Sequence, residues 1–200
     1  MQDPLELLIK TYLEEFVSRN RAAKTLADGL RVVGTGLRPL VERLSFRTKD
    51  VQTRAREFLS LGYESDEIFG VLENARGWGK LYRKAGYPAI FIEQASESAR
   101  GQDSPISEWL RVFGEKPVCH AAILVEDIEN AVFYLEKQSV AFAGSITGAR
   151  DSDCRQVFAA PEMIEGRAFS VLELTERHRG STFFLPPEAE SLVPPARSRR

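Results

Sequence analysis

Cysteine, histidine, tryptophan and methionine are scarce, each occurring only twice in 200 residues. The cysteines, Cys119 and Cys154, form no Cys-x-x-Cys pair. That excludes a disulfide framework and a cysteine-rich zinc site, and makes a reducing, cytoplasmic setting the expectation. The chain has no run of about 18 uninterrupted apolar residues, so no bilayer-spanning helix is expected. Its opening, MQDPLELLIKTYLEEF, is acidic and amphipathic, whereas a secretory leader is basic and then apolar. Excess positive charge is also missing. Lys and Arg number 27 against 29 Asp and Glu, a net charge of −2, which argues against electrostatic binding to nucleic acid or anionic membranes.

Hydrophobic residues make up 43% of the chain and charged residues 28%, enough to build a core and to exclude wholesale disorder. Asp3, Pro4 and Glu6 form a helix start, and Leu5, Leu8, Ile9, Tyr12, Leu13 and Phe16 continue it at helical spacing. A second helix is expected over Arg21 to Leu30. From Pro39 the period changes to two: in VERLSFRT, Arg43, Ser45 and Arg47 share one face, and Leu44 and Phe46 the other. A helix follows (VQTRAREFLSLGY), then short strands ending in YPAIFIEQ. From Lys116 the same order returns. KPVCHAAILVED is a strand and IENAVFYLEKQS a helix, with strands near Phe142–Ile146, Arg155–Ala159 and Arg167–Leu174.

The expected class is therefore α+β, with two tandem βαβββ modules forming a curved sheet around a central cavity. Residues 1–38 are an N-terminal helical extension, 39–95 the first module, 96–115 a polar linker, 116–192 the second module and 193–200 a disordered tail. Alternation places one ionisable group from each of four strands on the face away from the helices: Arg43, Glu93, His120 and Glu173. Such groups are costly on an otherwise apolar face unless they pair or bind something. Blander readings exist for each. His120 is a hydrogen-bonded core histidine, and Glu173 an edge residue facing solvent. Glu93 yields its place to Gln94 after a one-residue slip, and Arg47 pairs locally beside Thr48 and Asp50. The glycines of NARGWGK, lacking Walker spacing, read as a hairpin turn.

The two units resemble the vicinal oxygen chelate superfamily, in which paired βαβββ modules curl around a divalent metal. More specifically, LELLIKTYLEEF, VERLSFRT, CHAAILVED and LELTERHRGSTFFLPPEAESL resemble the 2-oxoadipate dioxygenase/decarboxylase family. By that resemblance His120 and Glu173 are metal ligands and catalytic residues, Arg47 holds a substrate carboxylate, and Arg155 and Gln156 line the substrate. Where the family has its first metal His this chain has Arg43, and a guanidinium has no lone pair for a metal. Two repairs follow. Glu93 completes a His120–Glu93–Glu173 set for Fe²⁺, Mn²⁺ or Mg²⁺, or Arg43 replaces the metal and none is bound.

The resemblance thus implies a metal-dependent oxidative enzyme acting on a small 2-oxo acid, with Arg43 adding positive charge for a dianionic substrate. One alternative is a non-catalytic module binding a small anion. Another is a metal-assisted isomerase or lyase with Glu93 as base. The expected partner is a small anionic molecule, with no nucleic acid and no membrane, and the protein a monomer or homodimer.

Overall fold

A computed structural model of the chain describes residues 3–74, 77–96 and 104–182. Helix α1 (Pro4–Arg19) opens on Asp3, whose carboxylate accepts from the Leu5 amide at 2.9 Å. Glu6, expected to complete a capping box, instead pairs with Arg38 at 3.0 Å. Asn20 ends α1 and begins α2 (Arg21–Val32). Its Oδ1 accepts from the Ala23 amide, and its Nδ2 donates 3.0 Å to Ser170 Oγ, so one buried side chain caps a helix and ties it to the sheet.

After a 3₁₀ turn (Arg38–Leu40), the first module runs β1 (Val41–Thr48), α3 (Val51–Leu59), β2 (Glu64–Ser65), β3 (Val71–Asn74), β4 (Gly77–Arg83) and β5 (Ala89–Ala95). The second runs β6 (Val118–Leu124), a helix α5 (Ile128–Lys137), β7 (Cys154–Phe158), β8 (Glu162–Ile164) and β9 (Arg167–Arg177). The sheet order is β2-β4-β5-β1-β6-β9-β7, with β3 on β4 and β8 on β9. Each module pairs its first and last strands in parallel, β1 with β5 and β6 with β9, and the modules join through an antiparallel β1–β6 seam. The expected two-module curved sheet is the architecture found. The strand expected at Phe142–Ile146 is reduced to isolated bridges, Phe142 with Ala159 and Thr147 with Gln156. The glycines of NARGWGK lie in a β3–β4 hairpin. A Cβ on Gly79 would fall 2.6 Å from the Phe91 ring, so close packing requires glycine there, not a phosphate.

Among the described residues, all the helices except one pack on one sheet face. Leu5, Ile9 and Phe16 of α1, Ala23 and Leu26 of α2, Phe58 of α3 and Leu135 of α5 share a single core with Phe46, Ile92, Ile123 and Leu172. The exception corrects the sequence expectation. Within the stretch read as a polar linker (96–115), Pro105–Phe113 form a helix, α4, capped by Ser104 Oγ on the Ser107 amide at 3.2 Å. It lies on the opposite, concave face. There Ile106, Trp109 and Leu110 pack on Cys119 and Phe169, and Trp109 Nε1 donates 2.7 Å to the Phe169 carbonyl. The tail 193–200, expected to be disordered, lies outside the described residues.

Asn20→Ala removes a cap and leaves Ser170 without its partner, so it should lower unfolding stability by about 2–3 kcal/mol. Asn20→Ser keeps a capping oxygen and should recover roughly half of that loss. Urea unfolding of both variants checks this, and equal losses would mean that the cap contributes nothing.

Candidate functional site

The concave face is built by alternation along four strands, corrected by two bulges. On β1 it receives Arg43, Ser45 and Arg47, while Leu44 and Phe46 enter the helical core. On β5 it receives Phe91 and Glu93, and on β9 Val171 and Glu173. A register shift between Ser45 and Phe46 skips Cys119, so that Cys119 and His120 both approach this face. A second shift between Val41 and Arg43 frees Glu42 from strict alternation. Its carboxylate accepts from Thr175 Oγ1 at 2.8 Å and from Arg177 Nε at 2.6 Å. Sequence reasoning missed Glu42 and Arg177, because a bulge is not visible in a period-two pattern.

Glu173 is the centre of the face. Arg43 Nη2 donates to its Oε2 at 2.6 Å, and His120 Nε2 lies 2.8 Å from the same oxygen. All three are buried, with side-chain exposures of 4% for Arg43, 2% for His120 and 1% for Glu173. The His120 contact is close but not aligned: neither ring nitrogen has a directed hydrogen-bond partner. Burial alone would raise the Glu173 carboxyl, yet the Arg43 guanidinium, with His120 and Arg177, holds it below the ordinary carboxylate range. Burial lowers His120 in spite of Glu173, leaving a neutral imidazole. Next to this set, Arg47 Nε donates 2.9 Å to Glu93 Oε1, and the Trp109 ring lies 5.5 Å from the Arg47 guanidinium carbon. The Cys119 thiol is pushed up to about 12 by burial, so it is not a thiolate nucleophile.

Three sequence assignments change. Arg155 does not face the concave side. It shares the helical face with Val157, and its guanidinium bridges Glu129 of α5, at 2.6 Å, and Glu176, at 3.2 Å. Gln156, its neighbour, takes the concave position instead, and its buried Oε1 has no partner. Glu93 is held by Arg47 and does not complete a ligand set with His120 and Glu173. Among the described residues, the one group of three His, Cys, Asp or Glu side chains with ligand atoms within 4.8 Å is Asp127, Glu129 and Glu176, on the other side of the sheet. Each member of that group already has a partner: Arg155 bridges Glu129 and Glu176, and Asp127 caps α5. Arg43, finally, is committed to Glu173, so it does not add free positive charge for a dianion.

No protein-family model matches this chain, and no curated protein matches it. Solved structures do. A candidate hydrolase from Shewanella frigidimarina is similar at a TM-score of 0.74 and 13% identity, over 92% of this chain and 99% of that one. A hydroxyglutarate synthase from Oryza sativa, in complex with 2-oxoadipate, is similar at 0.67 and 17%, over 94% and 84%. Methylmalonyl-CoA epimerase from Mycobacterium tuberculosis is similar at 0.50 and 17%, over 72% and 91%. The fold is that of the vicinal oxygen chelate proteins.

Related proteins of that fold typically bind a divalent metal, and the donor set on this chain's concave face does not fit one. A three-ligand centre needs three lone pairs converging on one point. Here a guanidinium occupies one position, and Glu93 is tied to Arg47. What the face does offer is unpaired polarity. Among the described residues, Ser45 Oγ, both His120 nitrogens and Gln156 Oε1 are buried without a directed partner, and Arg47 bonds through Nε with its terminal nitrogens unused. No helix among the described residues is long and apolar enough to cross a membrane.

The buried pair makes the fold acid-labile with a fixed sign. His120 in the folded state titrates below its ordinary 6.5, so between the two values the unfolded chain binds more protons, and stability falls as pH drops below about 6.5. Glu173, lowered from 4.5, adds stability that is present above that value and lost further into acid. Denaturation at successive pH values should show a slope of up to about 1.4 kcal/mol per pH unit in the histidine window. His120→Asn should flatten it. A slope unchanged by the substitution would mean that His120 is not held neutral.

Proposed function

We propose that the concave face binds a small carboxylate-bearing molecule of the 2-oxo acid class, and does so without a metal. The observation that carries this is Arg47. A buried guanidinium that uses only Nε presents its remaining nitrogens as the planar fork that a carboxylate takes in bidentate fashion. Ser45, His120 and Gln156 supply the unpaired groups that a 2-oxo oxygen or hydroxyl would meet, each at a cost if left unmatched. Trp109 and Phe91 furnish apolar walls.

A second reading, an isomerase or lyase, is favoured by one feature. His120 is neutral and buried, with its ring held beside Glu173, and a neutral imidazole there can take a proton from a carbon next to a 2-oxo group. Glu93, tied to Arg47, is the poorer base. The oxidative dioxygenase or decarboxylase reading draws no support from the donor set.

Calorimetry with 2-oxohexanoate, 2-oxoadipate and the amide of 2-oxohexanoate tests the proposal. Both acids should bind and the amide should not. Because Arg43 is neutralised by Glu173, the dicarboxylate should gain less than tenfold over the monocarboxylate. Arg47→Lys should weaken both acids by roughly ten- to hundredfold, the loss of one charge-assisted pair worth about 1.5–3 kcal/mol. Acids and amide binding alike, or an Arg47→Lys protein with unchanged affinity, would sink it.

A further inference from the structure

We propose that Arg43 is a tethered cation standing where a metal ion would stand, and that this single side chain is what keeps divalent metal out of the concave face. The inference goes beyond the ligand proposal and does not depend on which carboxylate binds. It starts from register. Arg43 on β1 lies opposite Ala122 on β6, Ala122 lies opposite Glu173 on β9, and His120 lies opposite Ser45, two residues along the same seam. Three adjacent strands therefore aim residues 43, 120 and 173 at one volume, and the small buried Ala122 leaves that volume open.

The contacts show what fills it. Arg43 Nη2 and His120 Nε2 reach the same Glu173 oxygen, at 2.6 and 2.8 Å. The guanidinium thus occupies the very Glu173 oxygen beside which His120 Nε2 also lies, the two donor atoms that an ion held by these residues would have to share. Charge agrees with this. A buried Glu173 requires a positive partner, and Arg43 supplies it permanently, since guanidinium does not deprotonate in proteins. An incoming divalent ion would have to expel a cation already hydrogen-bonded to its strongest ligand. Glu93 is no replacement donor, because its carboxylate does not join His120 and Glu173 in a group whose ligand atoms lie within 4.8 Å of one another. Exchanging the guanidinium for an imidazole changes both terms at once: it removes the competing charge and adds a third lone pair.

The test is titration of Co²⁺ into chelator-stripped protein, read by calorimetry, by the visible absorption of bound Co²⁺ and by thermal shift. The wild type should show no binding that depends on Glu173. Arg43→His should bind one Co²⁺ at least about a hundredfold more tightly than any wild-type signal and gain thermal stability from it. Adding Glu173→Gln to that variant should abolish the gain, which separates this site from the Asp127, Glu129 and Glu176 cluster. Should Arg43→His not fold, Arg43→Gln removes the cation alone and should admit Co²⁺ weakly, again through Glu173. Wild-type Co²⁺ binding that is lost in Glu173→Gln would overturn the proposal. So would a folded Arg43→His or Arg43→Gln protein whose metal binding matches the wild type. Failure of the carboxylate titrations would leave these outcomes untouched, since no organic ligand enters them.

Discussion

A carboxylate buried to 1% exposure in the middle of a sheet dictates much of what surrounds it. Unpaired, Glu173 would cost several kcal/mol and would take up a proton to escape the penalty. The structure answers with Arg43, drawn from the neighbouring module across the seam strand β6. The ion pair therefore joins residues that are far apart in sequence and belong to different modules. It can form only when β1, β6 and β9 are in register, so the polar face checks the pairing that the apolar face drives. His120, Ser45 and Gln156 inherit their burial from that arrangement.

The two faces of the sheet divide the work. On the helical side, α1, α2, α3 and α5 bury one continuous core, and the N-terminal helices belong to it as fully as the module helices do. Phe46, between Tyr12 at 4.9 Å and Phe58 at 5.5 Å, joins the extension, the strand and the module helix in one aromatic cluster. On the concave side the apolar contacts are smaller and local: Leu81 with Phe91, and Trp109 with Phe169. Stability is thus concentrated away from the charged residues, which frees the concave face to carry groups whose partners are incomplete.

Much of this was legible in the sequence, for reasons that can be named. Alternation in VERLSFRT assigned Arg43, Ser45 and Arg47 to one face because a strand buried on both sides still obeys period two. The repeated order was legible too, and its physical mark is the junction after each opening strand: Asp50 before Val51 and Asp127 before Ile128, a capping carboxylate followed by a fully buried aliphatic residue. Helix α4 was hidden by the polar stretch in front of it, although Ile106, Trp109, Leu110 and Phe113 carry helical spacing after a Ser-Pro start. Arg155 was misplaced because a family likeness outweighed the alternation that, with Val157 in the core, puts residue 155 on the helical side. The bulges that rotate Glu42 and Cys119 leave no compositional trace. Neither does the partner chosen by a charged side chain, which the packed structure alone decides.

The two concave ion pairs differ in a way that bears on function. Arg43 and Glu173 are both fully enclosed and separated by an intervening strand, so opening that pair would strand two charges in the protein interior. Arg47 and Glu93 face each other directly on paired strands β1 and β5, through one hydrogen bond, and Glu93 keeps 15% of its side chain in contact with solvent. Water can take up Glu93 if a better carboxylate approaches Arg47, whereas nothing can take up Glu173. One pair is therefore a fixture and the other an exchangeable contact. On the reading proposed above, a ligand carboxylate that meets the terminal nitrogens of Arg47 shares the guanidinium with Glu93, and any loosening of Glu93 is eased by its access to water. This asymmetry, rather than the number of arginines, is what favours Arg47 over Arg43 in the proposed carboxylate site.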